Sequence, residues 1–132
     1  MLLYIWVAIG GGIGATGRFL LSGIVARLIG ETFPWGTLIV NVTGCFVIGF
    51  FATLTGPAGK LYVGSAARQF VMTGICGGYT TFSSFSLQTL NLANDGELFR
   101  AGANAGLSLV LCLIAVWGGF VLATAINTMK WT

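Results

Sequence analysis

A polar stretch at residues 74–86 interrupts the third apolar run, where a plain membrane-spanning helix would carry Leu and Ile. Gly77 and Gly78 are followed by Thr80 and Thr81, and this order predicts a broken helix. Backbone that leaves a helix inside a membrane cannot face lipid, so it must be buried in protein or line a cavity. Carbonyls exposed in such a break can hold a small cation without a carboxylate, which makes a Na⁺ site around Gly77 and Thr80 physically reasonable.

Two phenylalanines follow this break and are interleaved with serines. Phe82 and Phe85 are three residues apart and therefore share one face of a helix. The positive edge of an aromatic ring can accept a poorly solvated anion without a charge that would trap it. The hydroxyls of Ser83, Ser84 and Ser86 add neutral donors. The alternative is that these rings form core contacts and the serines only pack helices.

Neutral polar side chains recur at helical spacing in the second and fourth apolar runs. Thr37 and Asn41 are four residues apart and share a helix face. An Asn amide offers two N–H donors without a net charge. Asn104, Ser108 and Cys112 form a similar stripe in the fourth run. Such stripes suit an anion pathway, and interhelical hydrogen bonds are the alternative.

Arg18 is a cation within the first apolar run, where an Arg is costly to bury. It lies about 24 Å along a helix that begins near Leu2, and therefore close to a membrane interface. Either it forms an electropositive vestibule for anions, or it is a snorkelling anchor or a contact to helix C-terminal carbonyls. Residues 12–17 match G-x-G-x-x-G, but no strand pattern or βαβ unit accompanies them, so these glycines are assigned to helix packing.

These residues lie in a chain with the composition of a membrane protein. Only 7% of its 132 residues are charged and 56% are hydrophobic, whereas a soluble domain is about one quarter charged. The charges leave four uncharged runs, and each is long enough for a membrane helix of about 20 residues. We therefore predict an all-α membrane protein, a single domain over residues 1–132. Four transmembrane helices are expected at 2–28, 34–55, 66–92 and 100–128, with the third broken mid-membrane.

The same composition leaves no room for an extramembranous domain and no basic run that could bind nucleic acid. The N-terminus lacks the features of a signal peptide, so the first run is expected to remain as a helix. Cys45, Cys76 and Cys112 are odd in number and have no C-x-x-C pair. They are interpreted as small buried hydrophobes.

The flanking charges give almost no orientation bias. Lys and Arg divide nearly evenly between the two predicted faces, with Lys60, Arg68 and Lys130 on one and Arg27 and Arg100, together with Arg18, on the other. Because Lys and Arg set the orientation of a membrane protein, insertion both ways up is expected. Four packed helices leave no water-filled interior, so a permeation path needs a second subunit.

Three motifs, taken in order, resemble the small fluoride channels of the CrcB or Fluc family of bacteria and other microbes. They are residues 11–18 (GGIGATGR), residues 34–44, which begin PWGTL, and residues 77–86 (GGYTTFSSFS). The likeness covers nearly the whole chain, and the length and helix count agree. It implies a fluoride-selective channel, not an enzyme, that exports fluoride passively across the cytoplasmic (inner) membrane. It further implies a multi-pass, antiparallel, dual-topology homodimer with two pores, each lined by both subunits.

The resemblance also implies roles for individual residues. Phe82 and Phe85 would form aromatic boxes, Asn41 would donate to fluoride, and Arg18 would lie at a vestibule. The other pore candidates are Ser108, Thr37, Ser83, Ser84 and Thr81. A central structural Na⁺ at the dimer two-fold axis would be held by backbone carbonyls around Gly77 and Thr80. The sequence departs from the family pattern at Gln88, where Glu is expected, and at Cys112, where a hydroxyl is common.

Three functions remain in competition: a fluoride channel, a small four-helix exporter and a structural or assembly protein of the membrane. Small multidrug exporters rely on a carboxylate embedded in the first helix. Here Glu31, Asp95 and Glu97 all lie in connections, and the chain has no His. The same deficit argues against proton-coupled fluoride transport and favours passive conduction.

Overall fold

The computed structural model describes residues 1–129, which form helices joined by short connections. In chain order these are α1 (Leu2–Ile29), α2 (Trp35–Leu54), α3 (Ser65–Gln69), a π-helix (Phe70–Cys76), α4 (Gly77–Tyr79), α5 (Phe82–Asn94) and α6 (Leu98–Thr128). No strand occurs in this range, which confirms the all-α prediction. Residues 12–17 are helical, so the dinucleotide pattern has no strand and turn to support it. Lys130, which entered the charge comparison, lies outside the described residues.

Among residues 1–129, three helices are long and apolar enough to cross a membrane: α1, α2 and α6. They correspond to the predicted first, second and fourth helices. The predicted third helix at 66–92 is not a single helix, because this part of the chain is divided into helices of 5, 7, 3 and 13 residues. Each is shorter than the about 20 residues that one membrane helix needs.

Thr80 and Thr81 have extended backbone between α4 and α5, with ψ values of 156° and 113°. Thr80 closes the first of these helices, because its Oγ1 donates to the carbonyl of Cys76 at 2.9 Å. Thr81 is the N-cap of the second, since its Oγ1 accepts the N–H of Ser84 at 3.1 Å. The two adjacent threonines therefore end one helix and begin the next.

Glycines bring α1 into close contact with the π-helix. A Cβ on Gly10 would lie 2.6 Å from the carbonyl oxygen of Phe70, and one on Gly14 would overlap the carbonyl of Ile75. Small residues four apart on one helix allow this close approach of backbones. Gly102 and Gly106 on α6 have the same spacing, but apart from the neighbouring backbone of α6 no atom of the described chain lies within 4 Å of a Cβ built on either.

α2 and α6 form the central helix pair. A Cβ on Gly119 would lie 2.7 Å from the backbone nitrogen of Phe50, and one on Gly49 would lie 2.9 Å from Cγ2 of Val116. Away from this contact, most large apolar side chains are exposed, and Phe99 is an example. An apolar exterior of this extent is stable against lipid or a partner and not against water.

The connection between α2 and α3 is fastened to the end of α6. The N–H of Lys60 donates to Oδ1 of Asn127 at 2.9 Å, and Nδ2 of Asn127 donates to the carbonyl of Thr53 at 3.2 Å. Arg68 donates to the carbonyl of Thr55 at 2.8 Å, at a helix C-terminus, where a cation is favoured. This connection and the end of α6 therefore lie at the same end of the molecule.

Candidate functional site

A groove of about 530 Å³ runs between α2, α5 and α6, beside the extended residues. It brings together six of the candidate pore or metal residues: Asn41, Thr80, Thr81, Phe82, Phe85 and Ser108. The rest of its wall is apolar or thiol: Cys45, Ala105, Leu109, Cys112 and Leu113. In the described part of the chain, its lining therefore contains neutral donors and aromatic rings but no Asp, Glu, Lys or Arg.

Both polar atoms of the Asn41 carboxamide form hydrogen bonds with the backbone of Thr81. Its Nδ2 donates to the carbonyl of Thr81 at 3.0 Å, and its Oδ1 accepts the N–H of Thr81 at 2.7 Å. Because the backbone N–H can only donate, the orientation of the amide is fixed. One of the two N–H groups on Nδ2 is used in this way, which leaves the other for a second acceptor.

Phe82 and Phe85 form a ring pair at the start of α5. Their centroids are 5.2 Å apart and their planes are inclined by 53°. Phe82 is 78% exposed and Phe85 is half-buried, so neither ring is a core side chain of the single chain. The interpretation of these rings as core aromatics is therefore wrong for Phe82 within one chain.

The polar stripe on α6 is divided between the groove and the contact with α5. Asn104 is 2% exposed, and its Nδ2 donates to Oγ1 of Thr89 at 2.8 Å. Ser108 lines the groove and donates to Oδ1 of Asn104 at 3.5 Å. Thr89 was not identified from the sequence, although its spacing of four residues from Phe85 would have placed it on the same helix face.

A second cavity, of about 350 Å³, contains Arg18 and three further polar side chains that the sequence identified, Thr37, Ser84 and Gln88. Thr81 lines both cavities, so it joins them. Nε of Arg18 and Oε1 of Gln88 are buried and have no hydrogen-bond partner in the described chain. Buried polar groups are normally bonded, so these two atoms mark the cavity as polar and open to a further partner.

Two candidate pore residues, Thr37 and Ser83, do not line the groove. Thr37 lies in the second cavity, not in the groove with Asn41, because one helical turn separates them. Ser83 is exposed and is absent from the lining of both cavities. Its Oγ lies 3.2 Å from Oγ1 of Thr81, so its contact with this region is through the N-cap.

The break deprives two carbonyls of their helical donors. In a continuous helix, the carbonyl of Gly77 would accept the N–H of Thr81, and that of Thr80 would accept the N–H of Ser84. Instead, Thr81 N–H donates to Asn41 and Ser84 N–H donates to Oγ1 of Thr81. The sequence identified these two carbonyls as cation ligands. Each has therefore lost its helical hydrogen-bond donor and can accept a bond from another group.

The three cysteines do not share one environment. Cys76 is buried, as predicted, whereas Cys45 and Cys112 are only half-buried and line the groove. The interpretation of all three as buried hydrophobes is therefore corrected for these two. Sequence spacing could have indicated it, because each lies four residues after a groove residue, Asn41 or Ser108.

The chain matches the family model described as CrcB-like protein, Camphor Resistance (CrcB), over residues 5–120. It is 62% identical over 130 residues to a protein of Opitutus terrae that is named fluoride-specific ion channel FluC, with 98% of each chain covered. Relatives of the same name from Methylocella silvestris and Rhodospirillum rubrum are each 58% identical, with 96% and 94% of this chain and 97% and 96% of theirs covered. The chain therefore belongs to the CrcB-like family.

Proposed function

We propose that this protein is a fluoride-selective ion channel that conducts passively. Relatives that are 46% to 62% identical carry the name fluoride-specific ion channel, and the chain is covered nearly in full by them. The observation that carries the proposal is the groove, in which an oriented amide, hydroxyl groups and a phenylalanine pair converge without a charged side chain. A small, strongly hydrated anion needs donors to replace its water, and neutral donors do so without trapping it.

Each lining group has a proposed role in the dehydrated part of the path. The free N–H of Asn41 donates to fluoride. The hydroxyls of Ser108 and Thr81, which donate to Asn104 and Ser84 in the single chain, rotate to continue the row of donors. The rings of Phe82 and Phe85 present their positive edges to the anion. Support for these roles comes from the shared groove and from the amide orientation that Thr81 imposes.

Arg18 acts as the vestibule cation in this proposal. Its cavity shares Thr81 with the groove, and Thr37 and Ser84 supply neutral donors between the two. A cation at the entrance of a low-dielectric cleft raises the local concentration of anions. The unpartnered Nε of Arg18 leaves a donor available for the anion.

The channel is proposed to be an antiparallel, dual-topology homodimer with two pores in the cytoplasmic membrane. Within one chain, Phe82 is 78% exposed, and the groove is open on that side, so a second subunit is needed to close it. Together with α1, α2 and α6, the helices from Ser65 to Asn94 complete four membrane crossings. This crossing is the third in chain order, and it is broken near its middle at Thr80 and Thr81. Backbone of this kind is tolerated inside a membrane only where protein or a cavity covers it.

A Na⁺ at the dimer centre fits the donor set. The carbonyls of Gly77 and Thr80 have lost their helical donors, and Gly77 is exposed on the surface of the chain. Hard cations prefer such neutral oxygen ligands where carboxylates are absent. The ion would supply a fixed positive charge that holds two breaks together, and no transport step depends on it here.

Passive conduction is favoured over coupled export. Glu31, Asp95 and Glu97 lie outside the helices that cross the membrane, and the chain has no His. Proton-coupled transporters use such groups in the membrane. A negative membrane potential would drive the anion out of a cell in which hydrogen fluoride has dissociated.

Purified protein in liposomes tests the proposal. Rapid fluoride efflux is expected, with little chloride flux and no proton movement beyond charge balance. Equal chloride flux would contradict selectivity, and stoichiometric proton movement would instead identify a coupled transporter.

A further inference from the structure

The groove contains two thiols that the proposed conduction does not use. Cys45 lies one helical turn after Asn41 on α2, and Cys112 lies one turn after Ser108 on α6. Both line the groove, and both are half-buried. An ion that reaches the amide and the hydroxyl therefore also reaches the two sulfur atoms.

The two thiols occupy matching positions on α2 and α6. Cys45 lies one turn before Gly49, and Cys112 lies one turn before Val116; a Cβ on Gly49 would lie 2.9 Å from Cγ2 of Val116. Because the two helices are in close contact one turn further along both of them, the two free thiols lie in the same part of the groove. A groove of about 530 Å³ leaves room for an ion beside the sulfur atoms.

Two neighbouring thiols provide two sulfur ligands for a soft metal cation that is coordinated by two ligands. Cysteine sulfur selects Cu⁺ and other thiophilic ions, whereas carboxylates and carbonyls suit hard ions. A structural zinc site takes four ligands, and residues 1–129 contain no group of three or more His, Cys, Asp or Glu that could hold a metal. The pair therefore fits Cu⁺, Ag⁺ or Hg²⁺ and does not fit Zn²⁺.

We propose that Cys45 and Cys112 bind one thiophilic cation and that the bound ion blocks the groove. Two S–H bonds break, two sulfur–metal bonds form, and two protons pass to the solvent. The ion then lies one turn from Asn41 and Ser108, where it obstructs the passage of an anion. The binding half rests on the position of both thiols in one groove, and the blocking half rests on the proposed function.

Titration of the purified, full-length protein with HgCl₂ tests the binding half. One Hg²⁺ per chain is expected for the wild type and for the matched control Cys76→Ala, whose thiol is buried outside the groove. Cys45→Ala and Cys112→Ala should release Hg²⁺ at a concentration of free cysteine about tenfold lower, because a second thiol on the same chain acts at high effective concentration. Cys45→Ser and Cys112→Ser provide the same comparison should an alanine variant fail to fold.

Retention of Hg²⁺ by either single variant as tightly as by the wild type would overturn the site, as would its loss from Cys76→Ala. Fluoride efflux from liposomes tests the blocking half. The efflux rate of each variant with Hg²⁺ is compared with the rate of the same variant without metal. One equivalent of Hg²⁺ should abolish fluoride efflux from wild type and Cys76→Ala only. Binding with correct stoichiometry and undiminished efflux would overturn the block alone, whereas absence of efflux in every metal-free sample would overturn the proposed function and leave the binding result standing.

Discussion

Asn41 bonds with one side chain to both backbone groups of Thr81, and its Oδ1 replaces the Gly77 carbonyl that the N–H of Thr81 loses when the helix breaks. Its amide donates to the carbonyl of Thr81 at 3.0 Å and accepts the N–H of the same residue at 2.7 Å. Both residues are 9% exposed, so these backbone groups cannot be satisfied by water within the chain. The same pair therefore stabilises the extended backbone and orients a donor toward the groove.

Asn41→Ala should lower both fluoride efflux and stability. It leaves the buried N–H of Thr81 without a partner, at a cost of about 1–3 kcal/mol, and removes one bond to the carbonyl of Thr81. Efflux is measured in liposomes and stability by thermal unfolding in detergent. Asn127→Ala is the matched control, because Asn127 bonds the connection at Lys60 and Thr53 and should lower stability without changing efflux per folded protein. Unchanged stability in Asn41→Ala would contradict the bonds to Thr81.

Phe82→Ile and Phe85→Ile should each reduce fluoride efflux by about fivefold, while the protein remains folded. An aliphatic side chain keeps the apolar volume and removes the positive ring edge, and one such contact is worth about 1 kcal/mol. Phe99→Ile is the control, since Phe99 is 88% exposed at the start of α6, away from the groove. Full efflux in both groove variants would return these rings to a packing role.

Arg18→Gln should slow fluoride entry, by on the order of tenfold at low ionic strength. The substitution removes the charge beside Thr37 and Ser84 but keeps a polar side chain of moderate length. Efflux measured at several salt concentrations should show a weaker salt dependence than the wild type. Arg27→Gln provides the comparison for an Arg of the same helix outside this cavity, and an equal effect of both variants would argue for a general surface potential.

Gly14→Ala should destabilise the chain by about 1–3 kcal/mol, the usual range for overpacking. The added methyl would overlap the carbonyl of Ile75, a backbone atom that cannot rotate away. Gly12→Ala is the control on the same helix, because no atom lies within 4 Å of the added Cβ, and its higher helix propensity should leave stability equal or slightly raised. Equal unfolding temperatures for the two variants would contradict the close contact of α1 with the π-helix.

Na⁺ should raise the unfolding temperature of the assembled protein. An ion that binds only the folded state stabilises it by about 2.7 kcal/mol at a hundred times its dissociation constant. Thermal unfolding is compared in NaCl and in choline chloride at equal ionic strength, since choline is too large for carbonyl ligands. Identical curves in the two salts would remove Na⁺ from the proposal.

Much of this architecture is already determined by local chemistry. The uncharged runs specify α1, α2 and α6, because helices are the simplest way to satisfy backbone groups in an apolar surrounding. Spacing of three or four residues places Phe82 with Phe85, and Asn41 with Thr37, on common helix faces. Glycine content at Gly10 and Gly14 predicts a close helix contact. Each of these inferences depends only on residues within one turn or two of each other.

Tertiary structure alone decided which of these faces meet. Nothing in the sequence states that the amide of Asn41 bonds to Thr81, 40 residues away, that Asn104 donates to Thr89, or that Cys45 and Cys112 line one groove. Such pairs depend on how far each helix approaches its neighbour and on its rotation about its axis, and both are set by the whole packed surface. The sequence by itself determined the helices and their polar faces, and the packing of α2 against α6 and of α1 against the π-helix decided the groove.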